Sequence, residues 1–258
     1  EMLRPRIIPC LLVKEKGLVK TTQFSNPKYI GDPINAVKIF NEKGADELII
    51  VDIDATVKGH EPDYRMIENV AAEARMPLCY GGGIKTVEHA KTIIKLGVEK
   101  IAISSAAFNN LNLISEIAEA VGTQSVVVVL DVKMKDVGKY EVWTHNATFN
   151  TGLSPVDVAT ELEKVGVGEI VLNSIDRDGM MAGYDFSLIE RIVGAVTVPV
   201  TVLGGAGQFD DFQKLINRFG IVGAAAGSIF VFKGVYKAVL ISYPNQSERN
   251  QLFQKCAS

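Results

Sequence analysis

The chain has 258 residues, 47% of them hydrophobic and 22% charged, with a formal net charge of −3. That balance suits a single domain over residues 1–258 with a sizeable core, and it leaves no broad basic footprint for nucleic acid. Cys10, Cys79 and Cys256 are too few and too scattered for a disulfide framework or a zinc site, so neither a metal nor a cofactor is expected. The longest uncharged stretch, Ile192 to Gln208, is broken by Pro199 and several glycines and is too short to span a bilayer. No basic-then-apolar leader opens the chain, so a cytoplasmic protein without a membrane partner is expected.

Short apolar strands alternate with amphipathic, helix-length segments from end to end. The strands are read at Ile7–Val13, Glu47–Asp52, Pro77–Gly81, Lys100–Ser104, Ser125–Asp131, Glu169–Asn173, Val198–Leu203 and Val222–Ala226. Helical patterns lie between them at Pro33–Lys43, Tyr64–Ala74, Val87–Leu96, Leu113–Val121, Pro155–Val165, Phe186–Val193 and Asp210–Phe219. Eight strands with helical crossovers imply a parallel sheet, and eight is the number that closes a (β/α)8 TIM barrel. Pro9 is a misfit, because it removes an amide donor from an interior strand and so predicts a local irregularity in strand one. Two connections are long: Lys14 to Asp32, read as a polar loop, and Met134 to Leu153, read as a hairpin through Tyr140–Thr144. Long loops on a compact barrel are often lids or binding loops.

Strand five, SVVVVLDVK, is apolar without a break until Asp131. Such a run reads as a strand covered on both faces, and Asp131 falls where barrel chemistry collects, at the C-terminal rim. Strand one carries a near copy, LLVK at Leu11–Lys14 against LDVK at Leu130–Lys133, with Leu12 where Asp131 stands. Other matches recur at a shift of 122: Asp52-Ile53-Asp54 with Ser174-Ile175-Asp176, Pro77 with Pro199, and Gly82-Gly83 with Gly204-Gly205. The chain therefore reads as an internal half-barrel duplication. Its two halves would set equivalent glycine turns at the mouth after strands three and seven, with Ser104-Ser105 after strand four and Gly227-Ser228 after strand eight beside them. Glycine lets backbone amides approach an anion closely, so two such turns suit a bis-phosphorylated ligand. General acid–base chemistry with one group giving and another taking a proton needs both, and Leu12 can do neither.

The segments RIIPCLLVK, DELIIVDIDA, YGGGIKT, EKIAISSAA, VVVLDVK, GEIVLNSIDRDG, LGGAG and AAAGSIF together resemble the cyclase subunit of imidazole glycerol phosphate synthase, the HisF family. The resemblance covers nearly the whole chain. It implies a barrel that receives ammonia from a HisH-like glutaminase at its N-terminal face and closes an imidazole ring with two aspartates. One matches Asp131 and the other falls at Leu12, while Lys20 matches the lysine of the mobile loop after strand one. Gly83, Ser104 and Ser105 correspond to one phosphate site, although the family usually has Asn-Thr in place of Ser104-Ser105. Gly179, Gly205, Gly227 and Ser228 correspond to the other, with Asp178 in the DRDG segment beside it. Asn173 and Leu203 replace hydroxyl residues usual at the rim. Arg6, Glu47, Lys100 and Glu169 match the charged ring that guards the ammonia entrance, although charges at strand starts are commonly just solvated.

A kept entrance with a missing ring-closing acid resembles the paralogues found with surface-polysaccharide amidation genes, in which ammonia passes to a third, amidating protein. The ending Ala238–Pro244 also resembles that branch and is expected to replace a charged terminal helix. The leading expectation is thus an amidotransferase barrel subunit with weak or no cyclase activity. A true histidine-pathway cyclase, the related phosphoribosyl isomerase and a scaffold that only activates the glutaminase stand as alternatives. His60, His89 and His145 are read as surface residues, and Asp52 as shaping the rim.

Overall fold

The computed structural model of the chain describes residues 4–220 and 222–254. The apolar runs become β1 (Arg6–Lys14), β2 (Leu48–Asp52), β3 (Leu78–Gly81), β4 (Lys100–Ile103), β5 (Val126–Asp136), β6 (Glu169–Ser174), β7 (Val200–Leu203) and β8 (Gly223–Ala226). Each strand pairs in parallel with the next, and β8 returns to β1 through Arg6↔Gly223 to Pro9↔Ala226. The sheet is a closed barrel with helices between the strands, the expected (β/α)8 fold.

Closure gives the sheet an inside and an outside, and successive side chains alternate between them. Ile7, Leu11, Ile50, Val126, Val128 and Ile170 face outward and pack on helix residues such as Phe40, Ile67, Ile93, Leu162 and Ile192. A separate inner cluster joins Ile8, Cys10, Ile49, Cys79, Ala102, Val127, Val171 and Ala225 along the axis. Both faces of β5 are therefore dry over its barrel portion, Val126–Val128. Val126, Val127 and Val128 are all fully buried, each worth about 1.5–3 kcal/mol in removed apolar surface. Pro9 is accommodated at a change of partner: it is the last residue of the β1–β8 register, and the β1–β2 register begins at Cys10.

The helices begin where the sequence supplies caps. Asp32 accepts from the Asn35 amide at 3.0 Å ahead of Pro33, and Gly44 closes that helix in a left-handed conformation. The two long connections occupy equivalent places half a barrel apart. After β1, strands Gly17–Thr22 and Ser25–Gly31 form a hairpin that pairs back on β1, Leu12 with Val19. After β5, Val126–Asp136 runs on past the barrel and pairs with Lys139–Thr144, as expected of the hairpin there. Short helices follow β4 (Ser105–Asn109) and β8 (Ser228–Val231), again half a barrel apart. This symmetry of excursions fits the repeat read in the sequence.

Two expectations need correction. Lys14–Asp32 is a paired hairpin rather than a loop; alternation there is masked because residues 19–21 are all buried. The Ala238–Pro244 segment does not replace a charged terminal helix. It adds a short strand, Ala238–Val239, and a polar helix, Gln246–Gln254, follows it. That helix is held to the barrel floor by Arg249, whose Nη1 donates to the Gly44 carbonyl at 2.7 Å and stands 3.4 Å from Asp46. Among the described residues no helix is long and apolar enough to cross a membrane. Cys256 lies outside the described residues, and Cys10 and Cys79 are buried free thiols.

Candidate functional site

At the N-terminal end of the barrel, the side chains of Arg6, Glu47, Lys100 and Glu169 close into a ring of alternating charge. Arg6 pairs with Glu47 and, at 2.9 Å, with Glu169; Lys100 pairs with Glu47 at 3.0 Å and with Glu169 at 3.6 Å. Arg6 also donates to Thr201, which is wholly buried. Glu47 and Glu169 are buried too, and a buried charge persists only when paired and hydrogen-bonded. Burial works against the Arg6 charge, and Glu47 and Glu169 more than offset it, so its proton affinity is raised. Above the ring stands the apolar inner column, which continues into Leu12, Val51, Val129 and Leu203 near the opposite end.

The C-terminal mouth opens as a cavity of about 100 Å³ whose walls include Leu12, Lys20, Asp131, Asn173, Asp178, Gly179, Gly205, Gly227 and Ser228. An adjoining pocket of about 390 Å³ is walled by Gly83, Lys85, Ser104, Ser105 and His145, and the two share Gly82 and Ser104. The expected site residues therefore divide between two connected hollows: the mouth cavity draws on both halves of the repeat, and the second pocket gathers Gly83, Ser104 and Ser105 of the first half. Among the described residues no group of His, Cys, Asp and Glu is placed to hold a metal ion.

Asp131 and Leu12 come from strands on opposite sides of the barrel and line the same cavity. Asp131 has a small window on the cavity but is otherwise enclosed by protein. Burial pushes its carboxyl up to about 7, and the nearby Asp178 charge pushes the same way. The opposing influence is a hydrogen bond from Asn173 Nδ2, 3.0 Å from Oδ1. A carboxyl that titrates near neutrality is suited to giving and taking a proton. Cys10 lies just below, and burial raises its thiol to about 12, so it stays protonated and inert.

The hairpin after β1 is folded over the mouth. Lys20 is buried and its Nζ donates to Asp178 Oδ1 at 2.6 Å; Thr21 Oγ1 donates to Asp178 Oδ2 at 2.6 Å, and the Phe24 amide to the same oxygen at 3.0 Å. Asp178 thus ties down the hairpin through three donors. Gly179 makes room for this closure: it sits at φ +72°, and a Cβ there would overlap the Thr21 carbonyl oxygen. Lys20 is brought beside Asp131's cavity but spends its charge on Asp178.

A matching family, described as "Histidine biosynthesis protein", spans residues 6–237. The chain belongs to the HisF family. It is 56% identical to a Vibrio vulnificus protein provisionally named imidazole glycerol phosphate synthase subunit hisF3, over 98% of each chain. It is 53% identical to one from Pseudomonas aeruginosa provisionally named subunit hisF2, over 95% of this chain and 97% of the relative. To the imidazole glycerol phosphate synthase subunit HisF of Alkaliphilus metalliredigens it is 40% identical, over 91% and 93% of the two chains.

Sequence reasoning missed several lining residues. His145, read as a surface residue, walls the second pocket, and its amide donates to Ser105 Oγ at 3.1 Å. The signal was its place in the hairpin equivalent to the one carrying Lys20. Lys85 was available in YGGGIKT, two residues after Gly83, as a cation beside a glycine turn. Thr21 and Phe24 were hidden because the hairpin itself was read as a loop. Asp52 Oδ1 accepts from the Asp54 and Ala55 amides at 3.0 and 3.1 Å, a local turn at the rim.

Proposed function

We propose that this protein is the barrel subunit of a glutamine-dependent amidotransferase, taking ammonia from a HisH-like glutaminase at the charged ring and passing it through the apolar column to the mouth. The observation that carries this reading is the asymmetry of the two ends. Arg6, Glu47, Lys100 and Glu169 form a ring with every charge matched, whereas Asp131 faces Leu12. Ring closure by two acids has lost one of them, so cyclase activity is weak or absent, since one positioned proton-transfer group is typically worth 10²–10⁴-fold. Ammonia is small and neutral, and a column of Ile8, Ile49, Val127 and Ala225 suits it better than ammonium, whose charge would be stripped of water there.

Support for a paralogue role comes from the relatives provisionally named hisF3 and hisF2, at 56% and 53% identity. On this reading the ammonia passes to a third protein that amidates a surface-polysaccharide sugar. Gly83, Ser104 and Ser105 on one side, and Gly179, Gly205, Gly227 and Ser228 on the other, are the proposed seats for phosphate groups. Lys20 and Asp178 hold the loop above them, and Asp131 is the surviving proton-transfer group.

The glutaminase half of the reading is tested by mixing the purified barrel with the HisH-type glutaminase of the same organism. The expected result is a 1:1 complex in which glutamine hydrolysis is faster than in the glutaminase alone. Absence of both complex and stimulation would overturn it.

A further inference from the structure

Asn173 has a side-chain geometry that its neighbours do not explain. It stands at the end of β6, level with Asp131 on β5 and with Leu203 on β7. The residue is 93% buried by its 7% exposure, and it lines the mouth cavity. One end of its amide is used, Nδ2 donating to Asp131 Oδ1 at 3.0 Å. The other end, Oδ1, is buried with no hydrogen-bond partner. An orphaned buried amide oxygen is costly and native structures rarely keep one without a reason. Space for it depends on the turn after β7: a Cβ at Gly204 would lie 3.0 Å from Asn173 Oδ1 and 2.7 Å from the Ser174 carbonyl oxygen.

The two ends of an amide differ only in which is donor and which is acceptor. As placed, the NH2 meets a carboxylate, which accepts. When Asp131 is a carboxylic acid, its O–H needs an acceptor, and a half-turn of the Asn173 amide about χ2 brings the oxygen there. The same half-turn moves the orphaned oxygen onto the acid and leaves the NH2 on the side facing Gly204. Among the described residues no other side chain hydrogen-bonds to Asp131. Leu12, across the mouth, offers nothing.

We propose that Asn173 is a positioning residue for Asp131: its amide holds the carboxylate as donor and turns over to accept from the carboxylic acid. A lone acid that must both take and give a proton is thereby partnered in each state, with no second acid opposite. The ionisable groups that share Asp131's cavity are Asp178 from the loop after β6, Lys20 from the hairpin after β1, Cys10 from β1 and Asp52 at the end of β2, and of these the Asp178 charge acts on it. Lys20 is already committed to Asp178 and Cys10 stays neutral, so Asn173 is the adjustable partner. The inference holds whether or not ammonia is what reaches the mouth, so its failure and that of the proposed function are distinguishable.

The test is an NMR titration of the full chain, following the Asp131 side-chain ¹³C carboxyl and the Asn173 side-chain ¹⁵N amide together. In the wild type both signals are expected to move with one midpoint near neutral pH. In Asn173→Leu, which keeps size and removes the donor, the Asp131 midpoint is expected to rise so that proton affinity increases about tenfold. Asn173→Ser, whose hydroxyl both donates and accepts, is expected to bring it back toward the wild type. An Asn173 amide signal that stays fixed while Asp131 titrates would overturn the turnover, and it needs no mutant. An Asp131 midpoint unchanged in folded Asn173→Leu would overturn the positioning role.

Discussion

At the N-terminal end of the barrel four charged side chains satisfy one another; at the C-terminal end Asp131 has a single amide for a partner and a leucine opposite. The ring is built like a structural element, with each ion paired twice, the two glutamates buried and the two cations half-buried. The mouth is built like a site under revision, with a titratable acid, an orphaned oxygen and apolar side chains among the polar ones. One barrel can hold both because, among the described residues, no hydrogen bond or ion pair joins the ring to the mouth. The inner column of small and branched apolar residues separates them, so one end can change chemistry without disturbing the other.

The largest change in this contrast is expected from placing an acid opposite Asp131. Leu12→Asp is expected to raise ammonium-dependent imidazole formation by about 10²-fold or more if one proton-transfer group is all that is missing. A smaller gain would place the loss in Asn173 and Leu203 as well, and steady-state kinetics with ammonium salt measures it.

Glu47→Ala attacks the other end. It leaves Arg6 with Glu169 alone and takes one of Lys100's two partners, and breaking a buried ion pair costs about 3–5 kcal/mol. Denaturant unfolding is expected to show a loss of that order together with impaired ammonia transfer, whereas Leu12→Asp leaves the ring intact.

Asp131 gives a pH test of its own. Its carboxyl ordinarily titrates near 4 and is raised to about 7 in the fold by burial. Between those values the folded protein holds a proton that the unfolded chain has released, so stability falls as pH rises from about 4 to about 7 and is level beyond. Asp131→Asn cannot ionise. Its stability relative to wild type is expected to be unchanged below about pH 4 and to grow by at most roughly 4 kcal/mol at pH 7 and above. Unfolding curves that run parallel across that window would contradict the burial of the acid. The smallest effect on the barrel itself is expected from Gly179→Ala, where strain at a positive φ, about 1–3 kcal/mol, adds to the overlap with the Thr21 carbonyl oxygen and both fall on hairpin closure. Faster proteolysis within Gly17–Gly31 would report it.

The barrel was legible because its physics is periodic. Val126–Val128 has no polar break since both faces of β5 are covered, and Asp32-Pro33 announces a helix through a cap and a fixed φ. Glycine pairs repeated at one spacing exposed the two-fold plan, and the ring residues were visible as charges at strand starts. What resisted reading was the hairpin after β1. Lys20 and Thr21 are polar residues buried by a tertiary partner, Asp178, more than 150 positions away, and no local pattern encodes that contact. His145 escaped for the same reason, since it matters through Ser105 from the helix after β4, and Asn173, visible as a rim residue, gave no sign of its contact with Asp131 on the neighbouring strand.

A steady-state assay of the wild-type barrel decides whether a charged entrance is joined here to a mouth without ring-closing chemistry. The barrel is supplied with ammonium salt and the bis-phosphorylated ribulosyl aminoimidazole precursor, and imidazole product is followed, so no glutaminase is needed. The account predicts no turnover, or turnover about 10²–10⁴-fold below an ordinary cyclase, from a folded barrel. Turnover equal to that of an ordinary cyclase would contradict it and make Leu12 a tolerated change in a histidine-pathway enzyme.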